Sequence, residues 1–504
     1  MKDGIFNNSS KTIKLFYIFY FIQFLFLIIL FSYIGITEGR PIKLISHLSE
    51  VNLVVLGNGT QKLLSDLFYL EPSEVIVNGI SRDSCKFDCE LEYEENNVTL
   101  YFNETVKSCN KMFSNLNNIK EIDFSNFDFS EVTLMSYMFY NCFNLEKINF
   151  GNANTSSVES MFALFYTNSK LTSLDLSSFD TSSVTTMEGM FYMCIGLSSI
   201  NVSNFNTKNV RSLRLLFYKC EKLTSADISN FDTSKVTSMN YLFGNCSIIK
   251  TINLGYMNTP SLKTMQCMFY YCHKLESIDL SSFDTSLVTH MGWMFFHCYD
   301  IKYIIFSESF NTSNVITMYS MFSHCQSIIS LNLTSFDTTK VTEMCWMFNN
   351  CKKLKYLDIS NFSPLNLTNI DTMFNSMSAL VYLNIYSMEI NNETNTNKAF
   401  NSLPANLKIC SNQPNMQKFL TSIKKSYNCS DTCFDKNINL DKTTNKCINS
   451  CKDNEYNYTN NGICYNQCPE QAHVIIKNIS NKDNIFEEYN DGVAKCFIVL
   501  KVII

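Results

Sequence analysis

Leu171-Thr-Ser-Leu-Asp-Leu-Ser-Ser-Phe-Asp-Thr-Ser-Ser-Val-Thr-Thr-Met-Glu-Gly-Met-Phe-Tyr-Met-Cys194 is one of twelve registered copies of a single unit. The Phe of its Met-Phe pair recurs at Phe113, Phe139, Phe165, Phe191, Phe217, Phe243, Phe269, Phe295, Phe322, Phe348, Phe374 and Phe400. Of the eleven intervals, ten are 26 residues and one is 27. A fixed period of this length marks a solenoid.

Each unit falls into two halves. In the first, Leu174 and Leu176 flank Asp175, and this alternation predicts a short half-buried strand. In the second, Val184, Met187, Met190, Phe191 and Cys194 fall at i, i+3, i+6, i+7 and i+10, the spacing of one helix face. Asp180-Thr181-Ser182 just before it offers oxygens for a helix N-cap. The expected fold class is therefore α/β, a curved solenoid of about twelve strand-helix repeats. No unit can cover its own apolar faces, so the units must stack.

L-x-x-L-x-L-x-x-F resembles the leucine-rich-repeat consensus, with Phe where Asn or Cys is usual. With its FDTSxVTxMxxMFxxC half, the unit resembles the BspA-like leucine-rich repeat of surface proteins, a type also met in mycoplasma lipoproteins and protist surface proteins. The resemblance spans residues 92–410. It implies a leucine-rich-repeat solenoid displayed outside the cell, with binding or adhesion roles and no catalytic residues to carry over.

The net charge is −6 with 17% charged residues, and the repeats carry no basic run, which disfavours nucleic acid as a partner. Lys11 and Lys14 precede Leu15–Ile36, a 22-residue apolar run long enough to span a bilayer. It reads first as a signal peptide, with Thr37-Glu38-Gly39 offering a cleavage site before Arg40, and second as an uncleaved signal anchor that holds the chain to a membrane. Both readings send the repeats into the secretory pathway, secreted or membrane-anchored. Glycosylation sequons at Asn58, Asn97, Asn103, Asn154, Asn201, Asn245, Asn311, Asn332, Asn361, Asn366, Asn392, Asn428, Asn457 and Asn478 agree with that compartment.

Residues 1–40 form the targeting segment, and 41–91, with apolar runs Val51–Leu56 and Val75–Ile80 and the pair Cys85 and Cys89, an N-terminal cap. The solenoid is expected over 92–410, Val98–Phe102 opening it as an atypical first strand. A linker at 411–428 leads to a cysteine-rich module at 429–468 and a tail at 469–504. The module carries Cys429, Cys433, Cys447, Cys451, Cys464 and Cys468 with few apolar residues between them, so disulfides are expected to hold it. Zinc would prefer C-x2-C spacing and a reducing compartment. The spacing loosely resembles furin-like or growth-factor-receptor modules. Cys496 is left over and could pair with Cys410, and the apolar residues after it are either a final strand or part of a longer segment.

Two positions alternate between Asp and Asn along the array. Asp123, Asn149, Asp175, Asn201, Asp227, Asn253 and Asp279 occupy the strand position, and Asp128, Asn154, Asp180, Asn206 and Asp232 the turn position. One reading is a cation-binding ladder. The other is a twofold superperiod that spaces like charges on rungs ~4.8 Å apart. Cys142, Cys194, Cys220, Cys246, Cys272, Cys298, Cys325 and Cys351 each lie three residues after the Phe and read as buried thiols. Helices packed ~8–10 Å apart would hold them beyond disulfide reach, with Cys267 and Cys345 the candidates for exceptions. Cys272-His273, His297-Cys298 and His324-Cys325 could suggest zinc, but a ladder keeps four ligands from converging, leaving exposed His beside buried Cys.

Tyr303, Ile305, Tyr356, Tyr382 and Tyr386 replace small residues on the outward strand face toward the C-terminal rungs. They are candidates for a partner-binding site. The competing reading is contact with the C-terminal cap. No nucleophile elbow, H-E-x-x-H or P-loop occurs, and neither an enzyme nor a cofactor is expected. The sequence points to a non-catalytic binding or adhesion protein for an extracellular protein or glycan ligand. A self-associating coat component or a receptor ectodomain are the alternatives.

Overall fold

The structure, a computed structural model, describes residues 49–427 and Cys429, and beyond them the backbone of seven short strands between 439 and 500. Among the described residues no helix is long and apolar enough to cross a membrane, and Leu15–Ile36 lies outside them.

The repeats form a β-solenoid in which the expected helix is absent. Across Gly189–Cys194 the amide N–H groups take two directions in strict alternation. Gly189, Phe191 and Met193 donate to Arg214, Leu216 and Tyr218 on the next rung, at 3.0, 3.0 and 2.7 Å. Met190, Tyr192 and Cys194 donate three residues back, to Met187, Gly189 and Phe191, at 3.1, 3.1 and 3.2 Å. A helix would send all of them four residues back along the same segment. The chain instead makes successive tight turns, and half of its hydrogen bonds run from rung to rung. Turns closed every third residue bring Met187, Met190 and Phe191 inside as a helix would, which is why the spacing misleads.

The backbone explains what stops the helix. Residues two before and two after each Phe have positive φ: Tyr137 and Asn141, Leu215 and Lys219, Trp293 and His297, Trp346 and Asn350. Left-handed residues end right-handed helices and are what such turns require at their third position. Of these positions only Gly189 carries glycine, at φ 63°. A Cβ there would meet Tyr166 at 3.6 Å, an ordinary contact, so space does not demand it.

Inside, the repeat Phe side chains form one column. Successive rings from Phe113 to Phe400 lie between 5.1 and 6.2 Å apart, near-parallel at every step but the last. The 27-residue interval is absorbed at Ser307–Ser309, where Glu308 is exposed, and the ladders resume in register as His290 pairs with Thr317.

A second set of inter-rung bonds comes from side chains. Thr155, Thr181, Thr207, Thr233, Thr259, Thr285, Thr312 and Thr338 are almost wholly buried. Thr259 Oγ1 donates to the Asp284 carbonyl at 2.9 Å and accepts the Asp284 N–H at 2.9 Å. Thr181 does the same with Asn206, at 3.0 and 2.8 Å. The Asp-Thr-Ser motif thus supplies a hydroxyl that stands in for a missing backbone partner, rather than a helix cap.

The first end of the stack is closed by antiparallel strands. β1 (Ser49–Leu56), β2 (Gly59–Lys62), β3 (Glu74–Val77), β4 (Ile80–Ser81), β5 (Asp88–Leu91) and β6 (Glu95–Phe102) precede β7 (Ile119–Asp123) and β8 (Lys147–Asn149). The main sheet runs β4-β3-β6-β1-β7-β8, antiparallel until β7 pairs in parallel with β8. Val98–Phe102, expected as a first solenoid strand, therefore belongs to the cap, because β6 pairs with β1 and β3. Val51, Leu53 and Val55 alternate inward and cover the first rung. Cys85 and Cys89 are joined, with Cα atoms 4.7 Å apart.

The strand row continues as β9 (Ser225–Asp227), β10 (Thr251–Asn253), β11 (Ser277–Asp279), β12 (Tyr303–Ile305), β13 (Tyr356–Asp358), β14 (Tyr382–Asn384) and β15 (Lys408–Cys410). Residues 411–428, expected as a linker, contain helix α1 (Pro414–Ser422). Its Met416 and Leu420 are buried, and Phe419 packs 5.9 Å from Phe400, so the i, i+3, i+4 face closes the last rung. Cys410 pairs with Cys429, not Cys496, across Cα atoms 4.6 Å apart. Farther on, β16 (Asn439–Asp441), β17 (Lys446–Ile448), β18 (Tyr458–Asn460), β19 (Ile463–Tyr465), β20 (His473–Ile476), β21 (Ala494–Lys495) and β22 (Phe497–Leu500) make one five-stranded and one two-stranded sheet. The pairing of Cys433, Cys447, Cys451, Cys464, Cys468 and Cys496 lies outside the described residues.

Candidate binding surfaces

Each solenoid strand buries its middle residue and turns its flanking two outward. In-register pairing therefore makes two outward rows. Ser225 stands beside Thr251, Ser277 beside Tyr303, and Tyr356 beside Tyr382, while Asp279 stands beside Ile305 and Asp358 beside Asn384. The structure thus puts Tyr356 and Tyr382 side by side, and separates them from Tyr303 and Ile305 by the rung of Ser330 and Asn332. Tyr386 lies just past the strand, half-buried. Tyr303, Ile305 and Tyr356 are also half-buried, and burial raises the Tyr356 hydroxyl above its ordinary pKa.

A second surface, on the turn half, was not singled out from sequence. Tyr140, Tyr166, Tyr192 and Tyr218 follow the core Phe in consecutive rungs and stack with centroids 4.9, 4.0 and 5.1 Å apart. Gly244 interrupts the column, and Tyr270 and Phe296 resume it at 5.4 Å. One residue on, Tyr271, His297 and His324 stack at 4.6 and 4.1 Å. Trp293 meets Tyr319 edge-on at 4.3 Å, and Trp346 is exposed. All these rings are partly open to solvent. Their signal was the repeated Met-Phe-Tyr or Leu-Phe-Tyr triplet. Read as a helix, the residue after Phe falls off the apolar face; as a turn ladder, it lines up with its neighbours every 26 residues.

The histidines are less exposed than expected. His297 Nδ1 hydrogen-bonds the Tyr299 hydroxyl, and His324 lies between Ser323 Oγ at 3.0 Å and Asn350 Nδ2 at 3.1 Å. Burial, then the charges of His324 and His273, push His297 down to about 4. Burial and Lys352 lower His324. Burial and Lys274 lower His273, against Asp300.

The cysteine ladder is a row of thiols, although not for the expected reason. Rungs joined by backbone hydrogen bonds stand ~4.8 Å apart. Equivalent Cβ atoms then lie beyond the ~3.5–4.5 Å a disulfide needs. Each sulfur donates instead to a Phe carbonyl one rung back: Cys142 to Phe113 at 3.0 Å, Cys246 to Phe217 at 3.1 Å, Cys298 to Phe269 at 3.0 Å. Where Asn168 replaces Cys, its Nδ2 donates to Phe139 at 2.8 Å. The position thus accepts a buried donor, while Leu116 and Met377 fill it with apolar side chains. Burial pushes Cys142 and Cys194 up to about 12. Cys267 and Cys345, the candidates for exceptions, are free thiols too.

Both Asp/Asn rows build turns. Asp123, Asn149, Asp175, Asn201, Asp227 and Asn253 each accept, through Oδ1, the N–H two residues on, at 2.8–3.2 Å. Asp128, Asn154, Asp180, Asn206 and Asp232 repeat this at the second turn. Asp and Asn serve equally in such turns. Asn149 and Asn253 also donate to Asp123 and Asp227 one rung back, at 3.0 and 3.1 Å. Among the sequons, Asn361 spends its amide on the carbonyls of Leu333 and Phe336, at 3.0 and 2.7 Å.

No curated protein matches the sequence. Among solved structures, a leucine-rich repeat protein from Bacteroides ovatus ATCC 8483 is 18% identical, over 67% of this chain and 89% of that one, with a TM-score of 0.33. A leucine rich cell surface protein from Faecalibacterium prausnitzii A2-165 is 15% identical over 60% and 82%, with a TM-score of 0.25. The TLR13–ssRNA13 complex is 17% identical over 62% and 46%, with a TM-score of 0.26. A family model matches three overlapping stretches, 107–221, 195–306 and 300–412, more than half of the chain, and the chain therefore belongs to the family described as Mycoplasma protein of unknown function, DUF285.

Proposed function

We propose that this is an extracellular or cell-surface binding protein, whose solenoid holds aligned rows of side chains for a protein or glycan partner and performs no catalysis. The carrying observation is the contrast between inside and outside of one repeated frame. The inward Phe is present in all twelve units and the inward Thr and Cys in eight each, while the residues on the turn face change from Tyr to His, Asn and Ser along the stack. A partly exposed column of stacked Tyr is suited to a sugar face or an apolar peptide segment. Two disulfides, Cys85–Cys89 and Cys410–Cys429, favour an oxidising compartment, since such bonds are rare where thiols are kept reduced. The alternative of a self-assembling coat fits less well, because unlike elements, the β1–β6 sheet and α1, close the two ends of the stack.

Protease treatment of intact cells tests this, with sequencing of the mature N-terminus. Loss of the protein from the surface, with a start near Arg40 or with Leu15–Ile36 retained, supports display by secretion or by an anchor. Recovery from the cytosol alone, with Cys410 and Cys429 reduced, would overturn it.

A further inference from the structure

From β8 to β14 the outward strand row becomes more covered, and Lys408 of β15 is exposed again. In β8 and β9 both flanking residues are exposed; in β10 one is, and in β11, β12 and β13 neither is. In β14 all three residues are buried, Asn384 at 0% exposure. Ser225 and Asp227 are exposed in β9, whereas the same residue types, Ser277 and Asp279, are half-buried in β11. Identity of side chain therefore does not set the trend.

The covered end also leaves polar atoms waiting for a partner. Among the described residues the Asn384 side-chain N–H has no acceptor, and both carboxylate oxygens of Glu389 are buried with no donor. Such atoms are costly to bury alone and call for a partner close by. Two facts name what completes it. The Cys410–Cys429 bond ties the start of the C-terminal segment to β15, next to β14. The backbone of β20 comes within 8 Å of β12.

We infer that the strand face of the last rungs, Tyr303, Ile305, Tyr356, Tyr382, Asn384 and Glu389, is the docking surface of the chain's own C-terminal segment, residues 430–504. It is thereby withheld from outside partners, and binding falls to the turn face and the earlier rungs. The inference stands on burial, orphaned polar atoms and the tether, not on the proposed function.

Lysine cross-linking of the full, oxidised chain tests it, with an equal mixture of light and heavy isotope-labelled protein. Lys302 adjoins β12 and Lys477 adjoins β20, so an intramolecular Lys302–Lys477 link is expected. Glu389→Lys should speed protease cleavage within 430–504 by about tenfold, as loss of local protection does, with the solenoid's melting unchanged. Should that variant fail to fold, Tyr303→Ser, on a half-buried outward position, gives the same reading with a smaller rise. Links only between light and heavy chains would assign the surface to a second copy and overturn the inference. So would Lys477 linked solely to residues away from 302–389, or cleavage unaffected by both variants.

Discussion

Thr259 shows how a single side chain joins two rungs. Its hydroxyl serves both the N–H and the C=O of Asp284 in a wholly buried setting. Thr259→Val keeps the shape and removes both bonds, leaving buried groups that cost about 1–3 kcal/mol each. Urea melts should show that loss, and Thr259→Ser should recover most of it. Gly189→Ala tests the left-handed turn positions. A Cβ there makes only ordinary contacts, so the penalty is chiefly conformational, about 1–2 kcal/mol, and larger than for the same change at an extended site. Thiol labelling at neutral pH should reach the half-buried Cys345 first and the Cys142–Cys351 ladder only on unfolding, since burial holds those sulfurs protonated.

At the scale of the element, the histidine stack makes stability fall with acid. His297 titrates near 4 in the folded chain, below its unfolded value of about 6.5. Its contribution is full above pH 6.5 and is lost as pH falls toward 4, because the unfolded chain binds the proton first. His297→Asn places there the residue that fills the same left-handed position at Asn141, Asn245 and Asn350. It should flatten the melting-temperature profile between pH 6.5 and 4 while leaving the value at pH 7.5 nearly unchanged. The same element shows what the sequence could and could not disclose. The period, the strand half and the buried Phe column follow from residue spacing alone. The helix does not, because Val184, Met187, Met190 and Phe191 satisfy a three-residue turn ladder as well as a helix. Of the 24 left-handed residues that flank the Phe positions, 16 are neither Gly, Asn nor Ser, and so carry no strong turn signal. The aromatic turn face was hidden by that same misreading, whereas Tyr303, Tyr356 and Tyr382 stood out because the strand half was read in the right register.

For the whole molecule, stability is carried by contacts between neighbouring rungs. Phe217→Ala, in the middle of the Phe column, should cost about 3–5 kcal/mol. Cys410→Ser opens the tether beside α1 and should cost about 3 kcal/mol. Hydrogen exchange should rise first around Phe400–Leu420 in that variant, and not at β1. The claim beneath all of this is that rungs are bonded to one another rather than built from helices, since only then do outward side chains line up into rows. Far-UV circular dichroism of the purified chain tests it most directly. A β- and turn-dominated spectrum, with helix no greater than α1 and whatever Leu15–Ile36 adds where it is retained, is the expected result. Strong helical minima at the level of one helix per 26-residue repeat would contradict the account.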